Sequence, residues 1–401
     1  SANQTQTEPN TTAHFGTSGD CGIAKATRNA TSHEFEFALD HKAAYLVFKP
    51  YTSNDVLKYC YLTKIEVTSD NDIASTYTLD PTAATGTGAL TGTGNGKQIV
   101  LTTMGNYGST YQNGFPLTNT SASLTTNGAY MVIKPGTHTL RIRYWVKDVA
   151  TNIEGTITKI IPSHTFAKNE YVNMEADLQI KNYDGDHYYM WDAQEQYWKG
   201  HEWWSANKDQ PVLNGNSNSN YPQNSSDPNN RWYHEGSGSP FNATQSCATL
   251  PNVNEMTWYA AKGDPRWDAD ELWTTMGHLY KGGMWFKKKS VLQAEGHYDT
   301  EKSADGSTDM RTTWKRYRNN SNSINNSSLP SAADAGNYFY LPALGYYRSG
   351  ALNGVGYGGN YWSSSAAPRH IDGAYYLDVN SGAANVVGHD RSEGYSVGGF
   401  K

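Results

Sequence analysis

Tyr338-Phe339-Tyr340-Leu341-Pro342-Ala343-Leu344-Gly345-Tyr346 opens a C-terminal run that continues through Gly359-Asn360-Tyr361-Trp362-Ser363-Ser364-Ser365 and Gly373-Ala374-Tyr375-Tyr376-Leu377-Asp378-Val379. A turn at Asn380-Ser381-Gly382 leads into Ala383 to Val387, and Gly394-Tyr395-Ser396-Val397-Gly398-Gly399-Phe400 closes the run. Short aromatic and β-branched segments broken by Asn, Ser and Gly read as hairpins. The last strand of such a meander needs a partner from much earlier in its own domain. His187-Tyr188-Tyr189-Met190-Trp191-Asp192 is the segment expected to supply it.

Between those two ends the chain is irregular and aromatic. Tyr197-Trp198 and Trp203-Trp204 precede an Asn/Ser-rich tract, Asn214 to Asn230, with the composition of a long surface loop. Asn252 and Glu255 form a capping box behind Pro251, and Val253, Met256, Trp258 and Tyr259 give a helix that Gly263 ends. The spacing of Leu272, Trp273, Met276 and Leu279 predicts a second helix over Asp268–Leu279, broken by Gly282-Gly283 before a strand at Met284-Trp285-Phe286. Asn319 to Ser328 reads as another polar loop.

The phrases Leu250-Pro251-Asn252-Val253-Asn254-Glu255-Met256, Lys281-Gly282-Gly283-Met284-Trp285, Leu341-Pro342-Ala343, Gly359 to Ser364 and Ala374 to Val379 together resemble the C-terminal modules of bacterial surface proteins with a C-type-lectin-like fold. That group includes the major paralogous repeats of Fibrobacter and related Bacteroidetes adhesins. The resemblance implies an α+β lectin-like domain over residues 183–401 and speaks far less about its ligand.

Tryptophan usage sets the boundary of that domain: of 12 Trp, only Trp145 lies before residue 185. The sequence ahead of the cut is nearly all strand. Phe35, Phe37 and Leu39 alternate, Ala43 to Phe48 is an apolar run, and Leu57 to Val67 and Gln98 to Thr103 follow. Ala129 to Ile133 precedes Pro135-Gly136. In His138 to Lys147, Leu140, Ile142, Tyr144 and Val146 share one face opposite Arg141, Arg143 and Lys147. After Ile153 to Ile161, the period-two series Val172, Met174, Ala176, Leu178, Ile180 ends the domain. Such spacing predicts an all-β Greek-key sandwich over residues 33–182. Residues 1–32 form a polar leader, with 1–12 expected to be disordered and His14–Thr27 to make one edge strand.

Bulk composition narrows the function. The chain has 401 residues, a formal net charge of -6 and only 17% charged residues, so no basic patch points to nucleic acid or an anionic membrane. The abundant glycine (38) and tyrosine (29) suit a loop-rich exported protein. Cys21, Cys60 and Cys247 make no disulfide framework; Cys21 and Cys60 pair only if the first segment packs beside the second, and buried free thiols are the simpler reading. Zinc spacing is absent. Calcium-dependent sugar binding needs an acid-Pro-Asn loop and a Trp-Asn-Asp strand; Glu8-Pro9-Asn10 has the letters but lies in the N-terminal tail, Gln210-Pro211-Val212 lacks the acid, no Trp-Asn-Asp occurs, and Asp184-Gly185-Asp186 and Asp305 to Asp309 read as solvated turns. No cofactor is expected. Nothing after Cys247 supplies the cysteines of a formylglycine-generating oxidase, no carboxylate pair marks a glycosidase, and no nucleophile elbow or phosphate loop occurs. The expectation is a non-enzyme.

The first half resembles the N-terminal domain of the fimbrillin-like (major fimbrial subunit) family of Bacteroidales, whose sandwich is transthyretin-like. The resemblance rests on Ala43 to Phe48, Leu62 to Val67, Tyr130 to Gly136 and Tyr171 to Leu178. It implies export as a lipoprotein precursor to the outer membrane and a fimbrium. It also implies maturation by an arginine-specific protease at Arg28, the only arginine before Arg141. The first strand is then lost, and a strand from another pilin subunit replaces it by β-augmentation. A C-terminal strand used inside its own module leaves none to donate, which suits a tip adhesin. Candidate contacts for a glycan or protein ligand are Trp203, Trp204, Tyr357, His389, Asp390 and Arg391, with a polysaccharide-binding module or glycan-processing enzyme as the alternative.

Overall fold

The computed structural model describes residues 1–82, 88–150, 152–183, 185–319, 324 and 329–401. Asp184 of the first acidic loop, and most of the polar tract expected over Asn319–Ser328, lie outside them. The described residues are predominantly β. They fall into two compact units: Ser1–Ile180 with Ser331–Ala335, and Lys181–Pro330 with Gly336–Lys401. Among them, no helix is long and apolar enough to cross a membrane.

In the first unit, β1 (Asn3–Thr5), β2 (Ala44–Tyr51), β3 (Tyr61–Ser69), β4 (Gln98–Thr102), β5 (Ala129–Ile133), β6 (Gly136–Asp148), β7 (Ile153–Phe166) and β8 (Tyr171–Asp177) make two sheets. One runs β1-β4-β3-β6-β7, with β1 parallel to β4 and the rest antiparallel. The other is β5-β2-β8, antiparallel then parallel. Leu140, Ile142, Tyr144 and Val146 all point inward and are buried, as their alternation requires. Phe48 of β2 meets Tyr144 of β6 edge to face with ring centroids 6.0 Å apart, so the two sheets share a core.

In β2 both faces are apolar: Leu46 and Phe48 alternate with Tyr45 and Val47, and all four are buried. The strand expected at Phe35–Leu39 is only two residues long, Phe35–Glu36, and its apolar side chains are exposed: Phe35 65%, Phe37 68%, Leu39 47%. All three cysteines are free thiols.

The second unit contains β9 (Asn182–Tyr183), β10 (Tyr188–Tyr189), α1 (Val253–Lys262), β11 (Arg266–Thr275), β12 (His278–Lys287), β13 (Tyr338–Pro342), β14 (Gly358–Ala366), β15 (Gly373–Asn380), β16 (Ala383–Asp390) and β17 (Tyr395–Ser396). One sheet is β10-β17-β14-β15-β16. Its first pairing, Tyr188 with Ser396 and Tyr189 with Tyr395, is the early-to-late contact read from the sequence. Trp191 Nε1 donates to Ser363 O (2.9 Å) and Trp362 Nε1 to Tyr189 O (2.8 Å), so the same junction is tied twice by buried indoles. Helix α1 carries its capping box at Asn252 and Glu255.

One expectation is overturned. Asp268–Leu279 is no helix; it is the body and turn of a hairpin in which β11 pairs antiparallel with β12 and β12 with β13. The physical reason sits in the turn. Thr275 pairs with His278 across a two-residue loop, and Met276 (φ 48°) and Gly277 (φ 78°) are both left-handed, as a type I′ turn demands. The Leu272–Leu279 spacing fits a helix and is satisfied instead by strand burial of Leu272, Trp273 and Leu279. Gly282-Gly283 does not break the element but lies within β12. A Cβ on Gly283 would fall 2.4 Å from Leu341 O, so β13 can approach only a glycine there. Gly277→Ala, forcing a side chain into the left-handed region, is expected to cost about 1–2 kcal/mol, read as a lowered urea midpoint. Gly277→Asn is expected to recover much of that loss.

Candidate functional site

The leader is ordered, and it closes the first unit. On one side β1 uses its backbone: Val100 N donates to Ala2 O (2.8 Å) and Gln6 N to Thr102 O (2.9 Å). On the other side it uses side chains. Gln4 Nε2 donates to Val132 O (2.6 Å), while Val132 N donates back to Gln4 Oε1 (2.9 Å). Gln6 Nε2 donates to Gly128 O (2.9 Å), and Tyr130 N donates to Gln6 Oε1 (2.8 Å). A primary amide offers a donor and an acceptor side by side, as a peptide group does. Two buried glutamines, 3% and 1% exposed, therefore stand in for a strand along β5. Since β4 belongs to one sheet and β5 to the other, β1 joins both edges.

The rest of the leader covers the outer face of β2 and β5. Phe15 stacks on Tyr45 at 4.9 Å and meets Tyr130 edge to face, in an apolar cluster with Ala43, Val47 and Val132. Asn10 N donates to Gly128 O (2.8 Å) and His14 Nε2 lies 3.0 Å from Tyr130 O, so the outward-facing groups of Gly128, Tyr130 and Val132 are all met from the leader. Tyr45 OH donates to Asp20 (2.7 Å), which also pairs with His41 (3.0 Å). A cleft of about 250 Å³, lined among others by Ser1, Ser18, Cys21, Lys42 and Val132, remains between the leader and the body.

Two expectations are corrected here. Residues 1–12 are not disordered, because their polar side chains bond buried backbone. His14–Thr27 is not an edge strand: Phe15–Ser18 is a helical turn ended by Gly19 at φ 102°, Gly22–Ile23 is a short strand pairing with Asp40–His41, and Thr27 belongs to a separate two-residue strand. The first strand is Asn3–Thr5.

Arg28 sits on what links leader to body. From Lys25 to Leu39 every residue except Asn29 is exposed. Within that run Thr27–Arg28 pairs with Phe35–Glu36 in a small hairpin, and Arg28 Nη2 lies 2.8 Å from His33 Nδ1. The guanidinium is thus presented on extended, solvated backbone.

The residues singled out in the second unit separate into two kinds. Trp204 (52%) and Tyr357 (77%) are exposed, and Trp203 is half-buried, edge-on to Trp204 at 5.8 Å. Arg391 is a framework residue. It is 1% exposed, lies over Trp191 (4.7 Å) and Phe241 (5.0 Å), and donates to the carbonyls of Gly373, His234 and Gly236. Its burial, with Nε and Nη1 bonded to carbonyls and two rings against the guanidinium, withdraws it from the surface.

His389 and Asp390 end β16. With Glu393 they bring three ligand atoms within 4.8 Å of one another. Arg348 Nε donates to Glu393 Oε1 (3.0 Å), and His389 Nδ1 accepts from Asp390 N (2.8 Å). Burial raises the Glu393 pKa, opposed by Arg348, and lowers that of His389.

The sequence reading missed Asp192. Fully buried and left-handed (φ 53°), it accepts from the backbone N–H of Thr244, Gln245 and Cys247 and faces His234 Nδ1 at 2.8 Å. It pins an otherwise irregular loop. No local signal in Trp191-Asp192-Ala193 announces that role, because its partners lie some fifty residues away.

No protein-family model matches the chain, and no curated protein does. Two solved structures are similar over a limited part. One is named "putative cell adhesion protein" from Bacteroides ovatus, at 11% identity and TM-score 0.22, covering 39% of this chain and 55% of that one. The other carries the same name, from Bacteroides fragilis, at 11% identity and TM-score 0.22, covering 40% of this chain and 54% of that one. The chain thus spans about half the length of each.

Burial holds the His14 imidazole below its usual pKa, with the Tyr130 carbonyl opposing. The folded state therefore binds that proton less readily than the unfolded chain, and stability present above about pH 6.5 is lost as pH falls through that value. Amide exchange across Asn3–Thr5 and Phe15–Ser18, corrected for intrinsic rates, is expected to be faster at pH 5 than at pH 7. His14→Gln is expected to flatten the difference.

Proposed function

We propose that this chain is a non-enzymatic cell-surface adhesin subunit of a fimbrium, whose first unit accepts a strand from another pilin subunit in place of its own leader. The observation that carries this reading is the leader's architecture. The strand completing two sheet edges belongs to a segment joined to the body through an exposed run bearing the only arginine before Arg141. A cut at Arg28 severs residues 1–28 without touching β2 to β8. Loss of the freed segment uncovers the edges of β4 and β5 and the apolar cluster around Tyr45, a combination that a foreign strand satisfies.

On this reading the first unit is a fimbrillin-like, transthyretin-type Greek-key sandwich, and the second is a lectin-like module that presents the ligand face. Exposed Trp204 and Tyr357 support contact with a glycan or protein surface, since large aromatic side chains left in solvent suit recognition. Tyr395–Ser396 pairs inside its own module and Phe400 packs against Tyr259, Phe339 and Tyr361. That strand is committed to its own module. The reading also implies an exported lipoprotein precursor.

Brief digestion with an arginine-specific protease is expected to give a single early cut after Arg28, and Arg28→Ala to abolish it. The nicked chain, and not the intact one, is then expected to capture a stalk subunit, seen as an added band of higher mass on a non-denaturing gel. A first cut elsewhere, or equal capture by both forms, counts against the reading.

A further inference from the structure

The groove that β1 fills is not satisfied by apolar fit alone. Its far wall is the edge of β5, where the N–H groups of Tyr130 and Val132 and the carbonyls of Gly128 and Val132 look toward the leader. β1 turns its backbone to β4, and what it presents to β5 is the side chains of Gln4 and Gln6. Only side chains at alternate positions can cross, and each must carry a donor and an acceptor together. Gln4 and Gln6, two residues apart on one face of the strand, do this with four bonds of 2.6–2.9 Å. Apolar side chains of the same volume at both positions would strand the N–H groups of Tyr130 and Val132 and the carbonyl of Val132, leaving Gly128 O only its bond from Asn10 N, and a carboxylate would supply no donor.

We infer that the strand replacing the leader is selected by a Gln-x-Gln pattern: two primary amides at alternate positions that read the β5 edge as Gln4 and Gln6 do. This rests on the strand-acceptor reading above and specifies the partner's chemistry. The apolar cluster around Phe15 gives affinity to any segment that brings an aromatic ring; the amides give register, since a slip of one residue turns both away from β5.

The test uses the full chain nicked at Arg28 with its own leader fluorescently labelled. Release of the label is followed by anisotropy against unlabelled synthetic Ser1–Arg28 peptides. The native peptide is expected to compete. Gln4→Leu and Gln6→Leu peptides are each expected to compete about tenfold or more weakly, as expected when at least one buried backbone group loses its partner, and the double replacement more weakly still. Equal competition by native and Leu-substituted peptides overturns the amide requirement while strand acceptance stands. Failure of every peptide to compete overturns strand acceptance, and this inference with it.

Discussion

A β-sheet edge is a row of unpaired donors and acceptors, and the first unit has two that face a common gap. The edge of β4 is met by the backbone of β1 and the edge of β5 by two glutamine side chains, so one short strand serves both sheets. The constraint is geometric: a strand has one hydrogen-bonding edge per side, and the side toward β5 lies a side chain's length away. Primary amides span that length while keeping peptide-like polarity. The buried polar groups that this gap would otherwise strand are each worth about 1–3 kcal/mol when unmet, which makes the leader a structural necessity of the closed form despite its polar composition.

The second unit solves a different problem, order with little regular structure. From Trp191 to Leu250 no strand or helix occurs, and backbone pairing is limited to turns, scattered bonds and the isolated bridges of Ser217 with Ala351 and Asn242 with Ser365, so regular pairing alone does not fix the chain there. Large rings do it instead: Trp198, Tyr197 and Tyr347 interlock at 5.4–5.6 Å between centroids, and Tyr188 closes on Tyr347 at 4.9 Å. Polar anchors complete the job. Asp192 gathers three backbone N–H groups from Thr244 to Cys247, and Arg391 gathers three carbonyls from two loops. A buried charge is tolerated when it is hydrogen-bonded, and both are.

These two solutions explain what could be read from the sequence. Period-two burial made β6 and β8 visible, and the capping box at Asn252 made α1 visible, because those signals are local. The pairing of His187–Tyr189 with the C-terminal strand was legible from the need of a meander for a closing partner. The β11–β12 hairpin was not, because Met276-Gly277 lacks the usual Asn-Gly turn pair and its apolar spacing suits a helix equally. The role of Gln4 and Gln6 was hidden for a deeper reason. Composition treats glutamine as a solvated residue, and only the position of β5, more than a hundred residues on, turns it into a backbone surrogate. Of the candidate ligand residues, Trp204 and Tyr357 stand in solvent as a contact needs, whereas Arg391 drew notice by its charge and is spent on the fold.

The division of labour within the first unit bears on whether a closed and an open form can share one body. The core between the sheets is built from Leu46, Phe48, Ile65, Val67, Leu101, Met131, Ile142 and Tyr144, all essentially buried and all contributed by strands after Arg28. The leader adds none of these. What it adds is edge hydrogen bonds, one stacked phenylalanine and the Asp20 contacts with Tyr45 and His41, with a cleft left beneath it. Apolar burial dominates folding free energy, whereas edge pairing is exchangeable between chains of similar pattern. On the reading proposed above, a sandwich whose core is complete without its first strand, yet whose edges are not, keeps its interior while leaving edges for another strand to meet.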